Sequence, residues 1–246
     1  MSSAASALHA TVAGRFARDA LALGEGEVCA AFQRSCYLRF PGERYACVGD
    51  ASLGRGPLNA LVAGFSPPTV GARLSVSVSQ VWAPPQLPLK FRSLEQLQVP
   101  DEGLGCLLLG KRNALAAHAA GALDGIDEWL RHGLAVPQAV EGLIGLGPGL
   151  TPSGDDYLGG AMVALRALGR DRQTQALWRW LQPRLAARTS AISAAHLAAA
   201  AEGEAHEALH RVLQEPSAAA FAALSAVGHC SGWDALAGAA AVLRAG

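Results

Sequence analysis

The clearest pattern of apolar and polar positions in the chain is a strict alternation over Arg73-Leu-Ser-Val-Ser-Val-Ser-Gln-Val-Trp82. Leu74, Val76 and Val78 fall on one face and Ser75, Ser77 and Ser79 on the other, which predicts a half-buried β-strand. Val28 to Phe40 is rich in strand formers. Pro41-Gly-Glu-Arg44 then reads as a turn, and Tyr45 to Val48 as the returning strand of a hairpin. A further turn at Gly54-Arg-Gly-Pro-Leu-Asn59 leads into a short apolar strand, Ala60 to Phe65. Residues 26–83 thus predict a small antiparallel sheet or barrel. Ahead of them, Leu8, Val12 and Phe16 recur every four positions and predict an amphipathic helix.

Pro84, Pro85, Pro88 and Pro100 punctuate a connector, and beyond about Leu104 the strand texture disappears. Helices are expected at 104–121, 123–132, 137–144, 154–168, 172–187, 189–202, 204–214, 217–227 and 232–244, with Gly or Pro at most junctions. The expected fold class is α+β. A helix and a small antiparallel β-sheet or barrel fill an N-terminal part, residues 1–100, and a mainly α-helical C-terminal domain fills 101–246.

One stretch breaks the helical texture: Gly142-Leu-Ile-Gly-Leu-Gly-Pro-Gly-Leu-Thr151-Pro-Ser153-Gly154-Asp155-Asp156-Tyr-Leu-Gly-Gly160. Its first half is too rich in Gly and Pro for helix or strand and reads as a constrained loop. Its second half reads as a helix start, with Ser153 as N-cap and Asp156 three residues on as its capping-box partner. A glycine loop feeding a helix N-terminus offers unpaired N–H groups and a positive dipole end to an anion. The same start recurs, since Ser153-Gly-Asp-Asp156-Tyr-Leu158-Gly-Gly160-Ala161 aligns with Ser231-Gly-Trp-Asp234-Ala-Leu236-Ala-Gly238-Ala239. Either start alone could be an ordinary capped helix; the repetition behind so constrained a loop favours a site.

Composition narrows the function. Lys+Arg and Asp+Glu balance at 20 each among 246 residues, so there is no long-range pull toward nucleic acid or an anionic membrane. No apolar run reaches the roughly 18 residues of a membrane helix. Five cysteines without any C-x-x-C pair read as buried thiols of a reducing compartment, and the cytoplasm is the expected location. Only two lysines occur, Lys90 and Lys111, so an anion would be held by arginines and backbone amides.

Familiar phosphate and nucleophile signatures fail. Leu150 stands where Gly-x-Gly-x-x-Gly needs its last glycine, no lysine follows Lys111, and Gly-x-Ser-x-Gly is missing around Ser153. His206-Glu207-Ala208-Leu209-His210 does satisfy H-E-x-x-H. Its charged flanks (Glu202, Glu204, Glu207, Arg211, Gln214, Glu215) predict instead a solvated helix face with both histidines exposed, and no glutamate follows Glu215 as a third ligand, which argues against zinc, although His229 or Asp234 could close a site. Thr189 and Ser193, four apart, place two hydroxyls on one helix face; the competing reading is N-capping by Thr189 or Ser190. His229, just before the second start, is a candidate acid or base.

Three blocks carry a family resemblance: Gly145-Leu-Gly-Pro-Gly-Leu-Thr-Pro-Ser-Gly-Asp-Asp156, Thr189-x-x-Ile-Ser193, and Gly228-His-x-Ser-Gly-x-Asp234. They resemble the signature blocks of a bacterial family loosely labelled carboxylases, one branch of which is the small subunit of oxamate carbamoyltransferase in anaerobic allantoin degradation. The N-terminal half matches only in general character, with Asn59 a candidate further block. The resemblance implies phosphorolysis of oxalurate to oxamate and carbamoyl phosphate, performed with larger partner subunits. Ala187-Arg188-Thr189-Ser190 departs too far from the Ser-x-Arg-Thr-Arg phosphate element of ordinary carbamoyltransferases for common descent of that element. Two readings stay open: a catalytic or substrate-binding subunit, and a non-catalytic module that binds a small metabolite or scaffolds a larger assembly.

On the first reading the loop and both helix starts converge on one pocket. Gly147, Gly149 and Gly154 supply amides to an anionic metabolite or phosphate, Thr151 and Ser153 orient it, and Ser231 and Gly232 repeat the contact. Thr189 and His229 stand at the rim, and Ser193 is a further binding candidate. Asp156 and Asp234 serve as capping residues with catalytic potential. Asp155 is expected to be free to point outward, toward a substrate, an arginine or, together with Asp156, a Mg²⁺ ion.

Overall fold

The computed structural model describes residues 6–85, 94–97, 117–133 and 135–246. The chain divides into two compact units, Met1–Pro84 and Pro85–Gly246.

The first unit is a closed six-stranded barrel in the order β1-β5-β4-β3-β2-β6, with β1 Ser6–Gly14, β2 Gly26–Ala31, β3 Ser35–Phe40, β4 Arg44–Gly49, β5 Asn59–Val62 and β6 Arg73–Trp82. Helix α1, Arg15–Leu21, adds Ala17, Ala20 and Leu21 to a core built from Val28, Leu38, Phe40, Val48, Val62, Leu74 and Val76. The expected leading helix is therefore mostly strand. Residues spaced by four share a face in a period-two strand as well as roughly in a helix, so Leu8 and Val12 fit both patterns. The chain enters α1 only at Gly14, where a side chain would collide with the backbone of Gly56 and Pro57.

Two further differences concern the strands. Val28 to Phe40 is not one strand but a hairpin, with Val28 opposite Leu38 and Ala31 opposite Cys36. Its turn, Phe32-Gln-Arg-Ser35, contains no Gly or Pro to signal it. The sheet is also not wholly antiparallel, because β1 runs parallel to β6 and β4 parallel to β5. Alternation along a strand says which face is buried but not which way its neighbour runs. Asn59 has a local duty, its side-chain amide donating to the Gly54 carbonyl at 2.9 Å.

In the second unit, no strand occurs among the described residues. Its helices are α2 Leu94–Leu97, α3 Ala120–His132, α4 Ser153–Ala167, α5 Asp171–Arg188, α6 Ala191–Ala201, α7 Glu207–Gln214, α8 Ala218–Ser225 and α9 Ser231–Arg244, with a 3₁₀ turn at Gln138–Leu143. The helix expected over 104–121 lies, through residue 116, outside the described residues. Helix α4 is central: Tyr157, Leu158, Ala161, Met162, Val163, Ala164 and Leu165 are all buried, on every side of it. No described helix is long and apolar enough to cross a membrane. Cys36 and Cys47 are buried thiols as expected, whereas Cys29 and Cys230 are only half-buried.

Candidate functional site at two converging helix starts

The two Ser-Gly-x-Asp starts lie against each other. Gly160 of α4 packs on the Ala235 carbonyl of α9, and Gly238 of α9 packs on the Tyr157 carbonyl of α4, each with no room for a Cβ. In the sequence alignment Tyr157 corresponds to Ala235 and Gly160 to Gly238, so the two contacts are one contact made twice. Glycine at both positions lets the helix backbones approach more closely than any side chain allows.

Their caps repeat as well. Asp156 N–H donates to the Pro152 carbonyl and Asp234 N–H to the Cys230 carbonyl, both at 3.0 Å. Gly154 N–H donates to Leu146 at 2.9 Å, and Gly232 N–H to Val227 at 3.2 Å. The accepting residue is in each case followed by a glycine with positive φ, Gly147 at 114° and Gly228 at 60°. Ser153 and Ser231 are the first helical residues, not N-caps, and no side-chain capping bond forms at either start. The expected capping box is therefore absent, and the Gly154 and Gly232 amides are occupied by backbone carbonyls, not available to a ligand.

Asp155 is the largest departure from expectation. It is buried, accepts the Gly145 N–H at 2.9 Å on Oδ1, and accepts two hydroxyls on Oδ2, Ser193 at 2.6 Å and Thr189 more closely still. It does not point outward. The shared face of Thr189 and Ser193 is real, but it is directed at this carboxylate. Ser190 caps α6 by accepting the Ser193 N–H at 3.0 Å, and its hydroxyl donates to the Leu150 carbonyl at 2.7 Å. Ahead of the loop, Glu141 receives Arg184 at 2.8 Å and Arg188 at 2.6 Å, and the Arg184 bond holds its carboxyl below the usual range.

So anchored at Gly145, Leu150 and Thr151, the loop presents its middle outward, with Pro148 and Gly149 exposed. Gly145, Gly147 and Gly149 have φ of 71°, 114° and 93°. Left-handed residues at alternate positions are a feature of the backbone nests that gather N–H groups round an anion. Among the described residues, the N–H groups of Gly147, Gly149, Leu150 and Thr151 meet no protein acceptor.

Asp156 and Asp234, expected to be occupied as caps, instead carry buried carboxylate oxygens without donors. Oδ2 of Asp156 and both oxygens of Asp234 are shut off from solvent and receive no hydrogen bond. Burial pushes the Asp156 carboxyl well above its usual range, with the nearby charges of Asp234 and Asp155 adding to the rise. Burial likewise raises Asp234 to about 6. The hydroxyls beside them cross over between helices: Ser231 and Thr151 act on Asp156, and Ser153 acts on Asp234. These hydroxyls oppose the rise, yet Asp156 Oδ2 and both Asp234 oxygens receive no hydrogen bond. Thr151 and Ser231 meet each other at 3.2 Å. Cys230 lies close to both carboxyls, and its thiol is raised by burial and then by their charges. His229 is exposed in the turn ahead of α9.

The H-E-x-x-H segment is built differently from its expectation. His206 precedes α7 as its N-cap, with Nδ1 accepting the Ala208 N–H at 3.1 Å. His210 is buried, not exposed; its Nε2 accepts the Ala205 N–H at 3.1 Å, and burial lowers its pKa to about 4. The charged flank misled because Glu204, one of the flanking residues, is itself buried. No group of three or more His, Cys, Asp or Glu residues is placed to hold a metal among the described residues.

Residues 143–243, which contain the loop, both starts and the Thr189–Ser193 segment, match the family model of oxamate carbamoyltransferase subunit AllH. Over that stretch the chain is similar to the AllH family. No curated protein and no solved structure matches the chain. The AllH segment begins at Leu143, the last residue of the 3₁₀ turn, and ends within the final turn of α9. It therefore coincides with the repeat and the elements packed between its two copies, and excludes the barrel.

Proposed function

We propose that this chain is a subunit of an oxamate carbamoyltransferase-like enzyme, working in the cytoplasm with larger partner subunits, and that it takes an anionic small substrate at the glycine loop. The reaction would be phosphorolysis of oxalurate to oxamate and carbamoyl phosphate. The observation that carries this reading is the AllH match over a segment whose exposed loop has unengaged amides on a rigid frame. Phosphate, carbamoyl phosphate and the carboxylates of oxalurate and oxamate are all anions that such amides can bind. Preorganised donors are also what phosphate attack on the carbamoyl carbon requires, because they stabilise charge at no reorganisation cost. Ser153, Thr151 and Ser231 stand beside the loop to orient the substrate, with Asp156 and Asp234 behind them.

Two measurements test the reading separately. Inorganic phosphate titrated into the isolated chain is expected to shift the amide resonances of Gly147 to Thr151; shifts confined to another region would remove the loop from the proposal. Carbamoyl phosphate formation from oxalurate and phosphate is then compared for the reconstituted assembly with and without this chain. Loss of activity without it is expected, whereas undiminished turnover would leave only a scaffolding role.

A further inference from the structure

We propose that Asp156 and Asp234, with the hydroxyls of Ser153, Ser231 and Thr151 around them, form a site for one divalent cation of the Mg²⁺ class. The two carboxylates come from corresponding positions of α4 and α9 and are brought together by the glycine contacts at Gly160 and Gly238. Asp234 is 1% exposed, and three of the four carboxylate oxygens of the pair are buried without a donor. Buried oxygens without donors are rare and costly, and two carboxylates side by side compound the cost. A protein usually offsets such a pair with a guanidinium or an ammonium group. Here the chief groups acting on the two carboxyls are Ser231, Asp155, Thr151 and Ser153, none of them cationic.

The missing positive charge fits a small hard ion. The two carboxylates and three hydroxyls are all oxygen donors, the set preferred by Mg²⁺ and Mn²⁺, and Mg²⁺ commonly takes only one or two carboxylates, filling its remaining positions with water or substrate phosphate. Thr151 ends the glycine loop and touches Ser231. An ion here would therefore sit beside whatever anion the loop holds. The site stands on the carboxylates alone and does not depend on which reaction the assembly performs.

The test uses the full chain and Mn²⁺ at pH 7.5, read by electron paramagnetic resonance and thermal unfolding. One Mn²⁺ per chain is expected, with a melting temperature raised by about 5 °C at roughly a hundredfold excess over Kd. Asp156→Asn and Asp234→Asn should each weaken binding at least about tenfold, while melting no lower than the parent when metal is absent, because each removes a repulsion. No Mn²⁺ on the folded parent, or binding untouched by both substitutions, would overturn the site. Mn²⁺ binding that persists in an assembly unable to make carbamoyl phosphate would uphold the site and count only against the reaction.

Discussion

The starts of α4 and α9 are the same device secured in two ways. Both open with Ser-Gly, carry a carboxylate at the fourth position, and cross through a glycine seven residues in. They differ at the third position, where α4 has Asp155 and α9 has Trp233. Asp155 binds a loop amide and two hydroxyls of the neighbouring helix segment. Trp233 stacks on Phe221 of α8, with ring centroids 6.1 Å apart and planes 5° from parallel. A buried carboxylate with three donors fixes directions as well as distances, and so holds the glycine loop in one shape. A stacked ring holds one helix to another but leaves the turn ahead of it to its own backbone bonds. The loop ahead of α4 is therefore the braced one of the pair, and α9 places the Asp234 carboxylate and the Ser231 hydroxyl beside it.

The largest expected effect tests the symmetry itself. Gly160→Ala and Gly238→Ala should each cost about 3 to 4 kcal/mol in denaturant unfolding, because each places a methyl group on a carbonyl of the partner helix. A tolerated alanine at only one position would show that the two contacts are unequal.

The braces come next. Asp155→Ala should cost about 2 to 3 kcal/mol, since it leaves the Gly145 amide and the Thr189 and Ser193 hydroxyls without their acceptor. It should also broaden the amide resonances of the loop. Trp233→Ala should cost about 2 kcal/mol through lost packing and leave the loop spectrum unchanged. Equal disturbance of the loop by both would erase the distinction between brace and stack.

The smallest effect is a gain. Asp234 has its carboxyl raised from 3.8 to about 6 in the folded chain. Its ionisation opposes folding: the penalty is absent below about pH 4, grows as pH rises toward 6, and is complete above it. In chelator, Asp234→Asn should therefore be more stable than the parent by about 1 to 2 kcal/mol at pH 7 and no more stable at pH 4. An equal gain at both pH values would mean that the carboxyl is not perturbed in this sense.

Much of this molecule was legible beforehand. Alternation at Leu74 and Val76 announced a strand, Gly and Pro punctuated the helices of the second unit, and the Ser-Gly-x-Asp repeat announced two related helix starts. Several misreadings came from a local pattern with two meanings. Leu8 and Val12 satisfy both periods, and a serine followed by an aspartate three residues on suits a capping box that never closes. Glutamates around His210 suggested solvent, although the histidine turns inward to hold the Ala205 amide.

Period, turn chemistry and the repeat are written in nearest neighbours along the chain, and those the sequence determined by itself. The parallel pairings that close the barrel, and the exchange of roles between Asp155 and Asp156, were decided by tertiary structure alone. Two adjacent aspartates at a helix start are chemically alike, and on a helix they point about 100° apart. Which one meets Thr189 and Ser193, and which meets Asp234 without a donor, depends on where α6 and α9 pack, and no spacing within residues 145–156 contains that information.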